Sequence, residues 1–364
     1  MSVLSASYGR LARLRRSWYE RHPQAQRILD RPVISVGNLS VGGSGKTPVV
    51  AALARLLVTM GHRPAILSRG YARPRIVDGV VVVSDSERVL EPVEHSGDEP
   101  QMLARALPGV PVLVCPDRHL AGRLAERHLG CTVLLLDDGF QHLLLGREVD
   151  LLIMPASDLD DSVLPSGRLR EPLDSASSAD GILVPGSDED VERVAAAFDR
   201  MPVFRVSHHY GPLQHTPGVS QNAPRPPKTG ASEDAAPPHR RGGSSAFATA
   251  TADHRSSTSA GGSDRPCARV VAVAGIARPA RFFDALRAQG YEIVRELAFP
   301  DHHWYTTSDL QRVSEAMRTT GADLVVTTAK DAVRVPPQTA WAVLPMTALI
   351  EPADRFAAWL AERL

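Results

Sequence analysis

Up to residue 210 the chain alternates short apolar runs with segments whose apolar residues recur at helical spacing. The runs are Pro32-Val33-Ile34-Ser35-Val36, Pro64 to Ser68, Val80 to Val83, Pro111 to Cys115, Thr132 to Leu136, Val149 to Ile153 and Gly181 to Val184, and each is short enough to be a buried strand. Between them, Val49, Val50, Leu53, Leu56, Leu57 and Met60 mark one helix, and Glu99 to Leu107, Arg118 to Leu129 and Glu189 to Phe198 mark others. Strands alternating with helices imply βαβ units and a mostly parallel sheet covered on both faces, with ligands gathering at the carboxyl ends of the strands. From Gly211 to Pro266 the periodicity gives way to Pro, Gly, Ser, Ala, Thr and His, a composition that buries too little surface to offset its ordering entropy. A short strand at Ala246 to Thr251 is the most this stretch offers. A second α/β unit follows: Arg269 to Ala274, a turn at Gly275, a helix Ala280 to Gln289, strands near Glu292 to Phe299 and Asp323 to Thr328, and a terminal helix from Pro352.

The expected organisation is therefore an N-terminal amphipathic helix within 1–24, an α/β nucleotide-binding domain over 25–210, a low-complexity linker over 211–268 and a smaller α/β domain over 269–364. The opening helix interleaves Val3, Leu4, Tyr8, Leu11, Leu14, Trp18 and Tyr19 with Arg10, Arg13, Arg15, Arg16 and Arg21. That pattern fits a segment lying in a membrane interface, and equally a terminal helix docked on the core with solvated arginines.

Composition narrows the function. Lys and Arg total 41 against 41 Asp and Glu, so there is no global basic field of the kind nucleic-acid binding uses. Cys115, Cys131 and Cys267 are too widely spaced for a zinc cage and too few for a disulfide framework, which fits a reducing cytoplasm. Neither a membrane-spanning stretch nor a secretory signal is expected.

Chemistry enters at Gly42-Gly43-Ser44-Gly45-Lys46-Thr47, behind a strand and ahead of a helix with Pro48 in its first turn. Glycines turn backbone N–H groups onto an anion, a lysine supplies charge at the β/γ-phosphates, and the threonine hydroxyl can ligate Mg²⁺. Ser40 stands where the usual motif has its first glycine. A second signal, Val133-Leu134-Leu135-Leu136-Asp137-Asp138-Gly139, ends an apolar strand in carboxylates suited to that metal. Ser68-Arg69-Gly70-Tyr71, Ser96-Gly97-Asp98-Glu99-Pro100 and Pro116-Asp117-Arg118 fall at further strand or helix ends; by position alone Asp98 reads as a helix cap. In Phe299-Pro300-Asp301-His302-His303-Trp304-Tyr305, a catalytic or substrate-orienting imidazole is a better reading than a metal pair, because sequence neighbours seldom face one ion.

These motifs together, with Leu164-Pro165-Ser166-Gly167-Arg168-Leu169-Arg170-Glu171-Pro172 and Thr328-Ala329-Lys330-Asp331, resemble the tetraacyldisaccharide 4'-kinase family, in its order and over nearly the whole chain apart from the linker. A phosphate loop opening with Ser or Thr is characteristic of that family. The resemblance implies transfer of the ATP γ-phosphoryl group to the 4'-hydroxyl of an acylated glucosamine disaccharide 1-phosphate, a step in making lipid A, at the cytoplasmic leaflet of the inner membrane. It implies nucleotide contacts from Ser40, Val41, Gly42, Gly43, Ser44, Gly45, Lys46 and Thr47, and Mg²⁺ held by Thr47, Asp137 and Asp138. Asp98 is implied as the base acting with His302, and Glu99, Arg118, Arg168, Arg170 and Glu171 as site or headgroup residues. The long 211–266 stretch and Ala329, where an acidic residue is common, depart from the family pattern. Other readings of the phosphate loop are a ligase or GTPase-like switch on a soluble partner, and a nucleotide-dependent binding module without turnover.

Overall fold

The computed structural model describes residues 3–43, 45–215, 268–336 and 338–364. The strand expected at Ala246 to Thr251 and most of the 211–268 segment lie outside the described residues. In chain order the elements begin with α1 (Val3–Arg21), β1 (Val33–Asn38), α2 (Lys46–Thr59), β2 (Pro64–Ser68), β3 (Val81–Ser84), α3 (Val93–Ser96) and α4 (Asp98–Ala106). Next come β4 (Val112–Val114), α5 (Arg118–His128), β5 (Val133–Asp137), β6 (Val149–Ile153), β7 (Gly181–Pro185), α6 (Asp188–Ala197), β8 (Val203–Tyr210) and β9 (Gln214–His215). Beyond the undescribed segment lie β10 (Arg269–Ala274), α7 (Pro279–Ala288), β11 (Glu292–Ala298), α8 (Thr307–Thr320), β12 (Leu324–Thr328), α9 (Ala329–Ala332), β13 (Ala342–Leu344), β14 (Met346–Glu351) and α10 (Ala353–Ala361).

The larger sheet has nine strands in the order β14-β8-β7-β6-β1-β5-β2-β4-β3, and the smaller has five in the order β11-β10-β12-β13-β9. The larger sheet is parallel except at its edges, where β3 and β14 run antiparallel to β4 and β8. Its central strands are buried along their whole length, which is why they read as unbroken apolar runs rather than alternating ones. On one face Val49, Val50, Leu53 and Leu57 of α2 pack with Ile34, Val36, Leu135, Phe204 and Phe356. On the other, Ala121 and Ala125 of α5 pack with Leu67, Leu113, Leu134 and Leu136.

The division of the chain between sheets departs from the expectation. Gln214–His215, within the expected linker, pairs with β13 in the small sheet. Met346–Glu351, expected in the smaller domain, pairs with β8 in the large sheet, and Phe356 and Leu360 of α10 join its core. The polypeptide therefore passes between sheets at Gly211–Leu213 and again at Pro345, and the two passages are bonded by Gly211 N–H to the Pro345 carbonyl at 3.0 Å. Residues 216–267 leave from β9 and return at β10, both strands of the small sheet.

Helix α1 docks by its polar side. Ser5, Gly9 and Arg16 face the protein, whereas Leu4, Leu11 and Leu14 are 70%, 66% and 63% exposed. Arg16 donates from Nε and Nη2 to the two Glu171 carboxylate oxygens at 2.7 and 3.0 Å and to the Phe140 carbonyl, and it lies over the Phe140 ring. Both oxygens of Glu171 are thus used inside the protein, and this residue, expected near a headgroup, anchors the helix. Because the pair is buried, Glu171→Ala leaves an uncompensated guanidinium and is expected to destabilise the fold by about 3–5 kcal/mol in urea melts, whereas Arg16→Met with Glu171→Met recovers most of that loss. An unchanged midpoint for Glu171→Ala would remove the anchor role.

Candidate active site

Register puts the chemistry on one edge. Val36 of β1 lies opposite Asp137 of β5, Leu67 of β2 opposite Leu136, and Ser68 opposite Val114 of β4. The phosphate loop after β1, the carboxylates after β5, Ser68-Arg69-Gly70-Tyr71 after β2 and Pro116-Asp117-Arg118 after β4 therefore share the carboxyl end of the sheet, as the alternating pattern anticipated.

In the phosphate loop, Gly45 caps α2 in the left-handed region at φ 78°, a conformation glycine takes without strain. At its start Ser40 bridges to Leu169, and Val41 N–H donates to the Arg168 carbonyl at 2.8 Å, so these two residues tie the loop to the 168–170 segment. Lys46 Nζ donates to Asn38 Oδ1 at 3.1 Å and stands 3.6 Å from Asp138 Oδ1. Thr47 is buried in the first turn of α2. Ala277 from the small-sheet unit lies over Gly43, 3.6 Å from where a side chain would begin.

Asp138 also accepts from Arg170 at 3.0 Å; although burial opposes ionisation, Lys46 and Arg170 hold its carboxyl below the usual range. Asp137 differs. It is buried beside Ser68 Oγ at 3.3 Å, and burial, with Glu99 and Asp138 adding negative charge, pushes it up to about 7. Arg118 is buried at the first turn of α5, facing Asp137 and Asp138, with Nη1 on the Pro116 carbonyl. Arg168 pairs with Asp161 at 2.7 Å and lies 3.7 Å from Asp158, so it braces its own loop.

Asp98 is not the cap its local sequence allows. Gly97 is the N-cap of α4, and Asp98, the first helical residue, points its Oδ2 across to the small-sheet unit, 2.9 Å from His302 Nδ1. Burial opposes ionisation of Asp98, but His302, Lys330 and Arg334 outweigh it and hold the carboxyl below its usual range. The paired histidines separate as the spacing argument requires. His303 stacks on Phe299 and bonds Asp309 at the start of α8, while His302, at φ 60°, turns the other way with its ring against Tyr71.

Lys330, in the Thr328-Ala329-Lys330-Asp331 motif, is a site residue that sequence alone does not mark. Its Nζ lies 3.2 Å from Glu99 Oε1, 3.3 Å from Asp301 Oδ1, 3.4 Å from His302 Nε2 and 3.9 Å from Asp98 Oδ2. Behind it Asp331, fully buried, accepts from Gly275 N–H, Tyr305 Oη, Thr328 Oγ1 and Arg334 Nη2, fixing α9 and the 300–305 loop together. A lone Lys-Asp dipeptide gives no hint of this, because the acceptors come from segments far apart in the chain.

The family model described as tetraacyldisaccharide-1-P 4'-kinase matches residues 1–364. The chain is 38% identical over 340 residues to a tetraacyldisaccharide 4'-kinase of Geobacter metallireducens, covering 93% of this chain and 88% of the relative. It is 36% identical to the protein of that name from Geobacter sulfurreducens, covering 92% and 83%. A crystal structure of LpxK from Aquifex aeolicus, described as a complex with ATP, superposes with a TM-score of 0.73 at 27% identity over 99% of this chain and 96% of that one.

Proposed function

The chain belongs to the tetraacyldisaccharide 4'-kinase family, and from that premise we propose how its residues carry out the reaction. The enzyme is a kinase that uses ATP to phosphorylate the 4'-hydroxyl of a tetraacyldisaccharide in lipid A synthesis. This sets aside the ligase, switch and binding-module readings. The observation that carries the residue assignment is the convergence, at one sheet edge, of Lys46 and Asp138 with an Asp98–His302 pair contributed by both units.

Lys46 and the amides of Gly42, Gly43 and Gly45 bind the phosphates; Ser44 of the same loop lies outside the described residues. Thr47, Asp137 and Asp138 are the donors for Mg²⁺. A hydroxyl and carboxylates are hard oxygen ligands of the kind that ion takes with water and phosphate oxygens, and Asp137, pushed up to about 7 by burial, is hydrogen-bonded to Ser68 and ion-paired to no cation among the described residues. When bound, Mg²⁺ supplies charge neutralisation at the phosphate oxygens. Asp98 takes the proton of the attacking hydroxyl as the new O–P bond forms and the bond to the β-phosphate oxygen breaks, ADP leaving with the electron pair. His302 orients the Asp98 carboxylate, and Glu99, Arg118 and Arg170 line the same edge. ADP release measured with and without an acylated disaccharide 1-phosphate tests this: acceptor-dependent turnover is expected, and equal turnover in both would overturn it.

The enzyme works at the cytoplasmic face of the inner membrane, resting on α1. Its support is the outward apolar face of a helix held inward by Arg16; no helix among the described residues is long and apolar enough to cross a bilayer. Replacing Leu4, Leu11 and Leu14 together by Gln keeps every docking contact. Each leucine contributes on the order of 1 kcal/mol or more to partitioning, so vesicle binding is expected to fall at least about a hundredfold, with KM raised for a vesicle-embedded acceptor and unchanged for ATP. Undiminished sedimentation with vesicles refutes the interface role.

A further inference from the structure

Three hydrogen-bond acceptors from two segments, α4 and the 300–305 loop, meet at the three protons of one ammonium. Lys330 Nζ has Glu99 Oε1 of α4 at 3.2 Å, Asp301 Oδ1 at 3.3 Å and His302 Nε2 at 3.4 Å. A lysine ammonium has three donors and no acceptor, so when one proton points at an imidazole nitrogen that nitrogen is the lone-pair one. The other ring nitrogen then carries hydrogen, and it lies 2.9 Å from Asp98 Oδ2. We propose that Lys330 is a positioning residue that fixes His302 as the neutral tautomer with its proton on Nδ1, so that the imidazole donates to Asp98 and orients it without taking a second proton. The proposal rests on the reading of Asp98 as the base.

The groups facing His302 are Asp98 from α4, Asp301 from its own loop, Lys330 from α9 and the Tyr71 ring from the loop after β2. Arg334 Nη1 acts one step removed, 3.7 Å from Asp98 Oδ2, and Glu99 is reached through Lys330. The hydrogen bond that His302 donates to Asp98 raises the His302 pKa; burial opposes it, and so does the positive charge on Lys330. Removing that charge lets the ring take a second proton at higher pH. An imidazolium against Asp98 stabilises the carboxylate and makes it a poorer proton acceptor. Loss of Lys330 therefore weakens catalysis at lower pH and spares it at higher pH, where the ring is neutral again.

The test compares the full-length enzyme with Lys330→Met and Lys330→Gln, the second keeping a neutral donor, should the first fail to fold. Two readouts are followed: kcat against pH, and the ¹⁵N signals of the His302 ring by NMR. The acid limb of kcat is expected to move up by about one pH unit, a roughly tenfold loss on that limb that recovers at alkaline pH. The ring signals should move from the Nδ1–H form toward the doubly protonated form over the same range, and Lys330→Arg should restore the limb. A loss of equal factor at every pH with unchanged ring signals would reduce Lys330 to a structural tie and overturn the proposal. Asp98→Ala is assayed beside them. If it stays active, the base assignment has failed; if it is inactive while the Lys330 profiles overlay the parent's, this inference alone has failed.

Discussion

Asp98→Ala is expected to reduce kcat by about 10²- to 10⁴-fold, the range of a lost general base. Adding His302→Ala to it should cost little more. The two residues belong to different units, yet they meet at 2.9 Å, and the imidazole has no proton of the acceptor to handle once the carboxylate is gone. His302→Ala alone should be the milder variant, since Asp98 keeps Lys330 and Arg334 nearby. Measuring kcat for both single variants and the double variant decides the matter. If the losses multiply, the residues act independently, and the contact across the cleft orients nothing.

Lys46→Ala is expected to lower kcat by about 10²- to 10³-fold, comparable to removing a preorganised donor from a site of developing charge. The expectation is tied to position: Lys46 Nζ is held by Asn38 and Asp138 beside the loop, at the place the proposed function gives the terminal phosphate. Thr47→Ala should act in the same direction through a lost metal ligand, and excess Mg²⁺ should restore part of its activity but none of that of Lys46→Ala. A Lys46→Ala enzyme that turns over near the parent rate would move the nucleotide site elsewhere.

Much of this was legible in the sequence because it is local. Buried parallel strands read as apolar runs, and their ends carry the charged clusters, so β1 with its loop and β5 with Asp137 and Asp138 could be located before any register was known. What could not be read is long-range. The expected boundaries missed that Met346–Glu351 returns to the large sheet, since an edge strand with alternating burial has no local mark of its partner. Asp98 has the sequence of a cap, yet Gly97 is the N-cap of α4 and the Asp98 carboxylate is turned to His302 instead. Glu171 lies in a motif that suggests a ligand contact, and its partner, Arg16, lies 155 residues away. Lys330 shows nothing until four acidic or imidazole groups from other segments surround it. The amphipathic opening helix does not say which of its faces docks; the buried Arg16–Glu171 pair and the exposed leucines show that the polar face does.

The paired passages at Gly211–Leu213 and Pro345 have a mechanical meaning. Two strands bonded side by side behave as a ribbon, which bends readily about one line and resists twisting or sliding. His302 and Lys330 meet Asp98 from the small-sheet side of that line, so a relative motion of the two sheets about it would carry them along a single arc. The chain enters residues 216–267 from β9 and resumes at β10, two strands of one sheet, so the length of that segment does not set the arc.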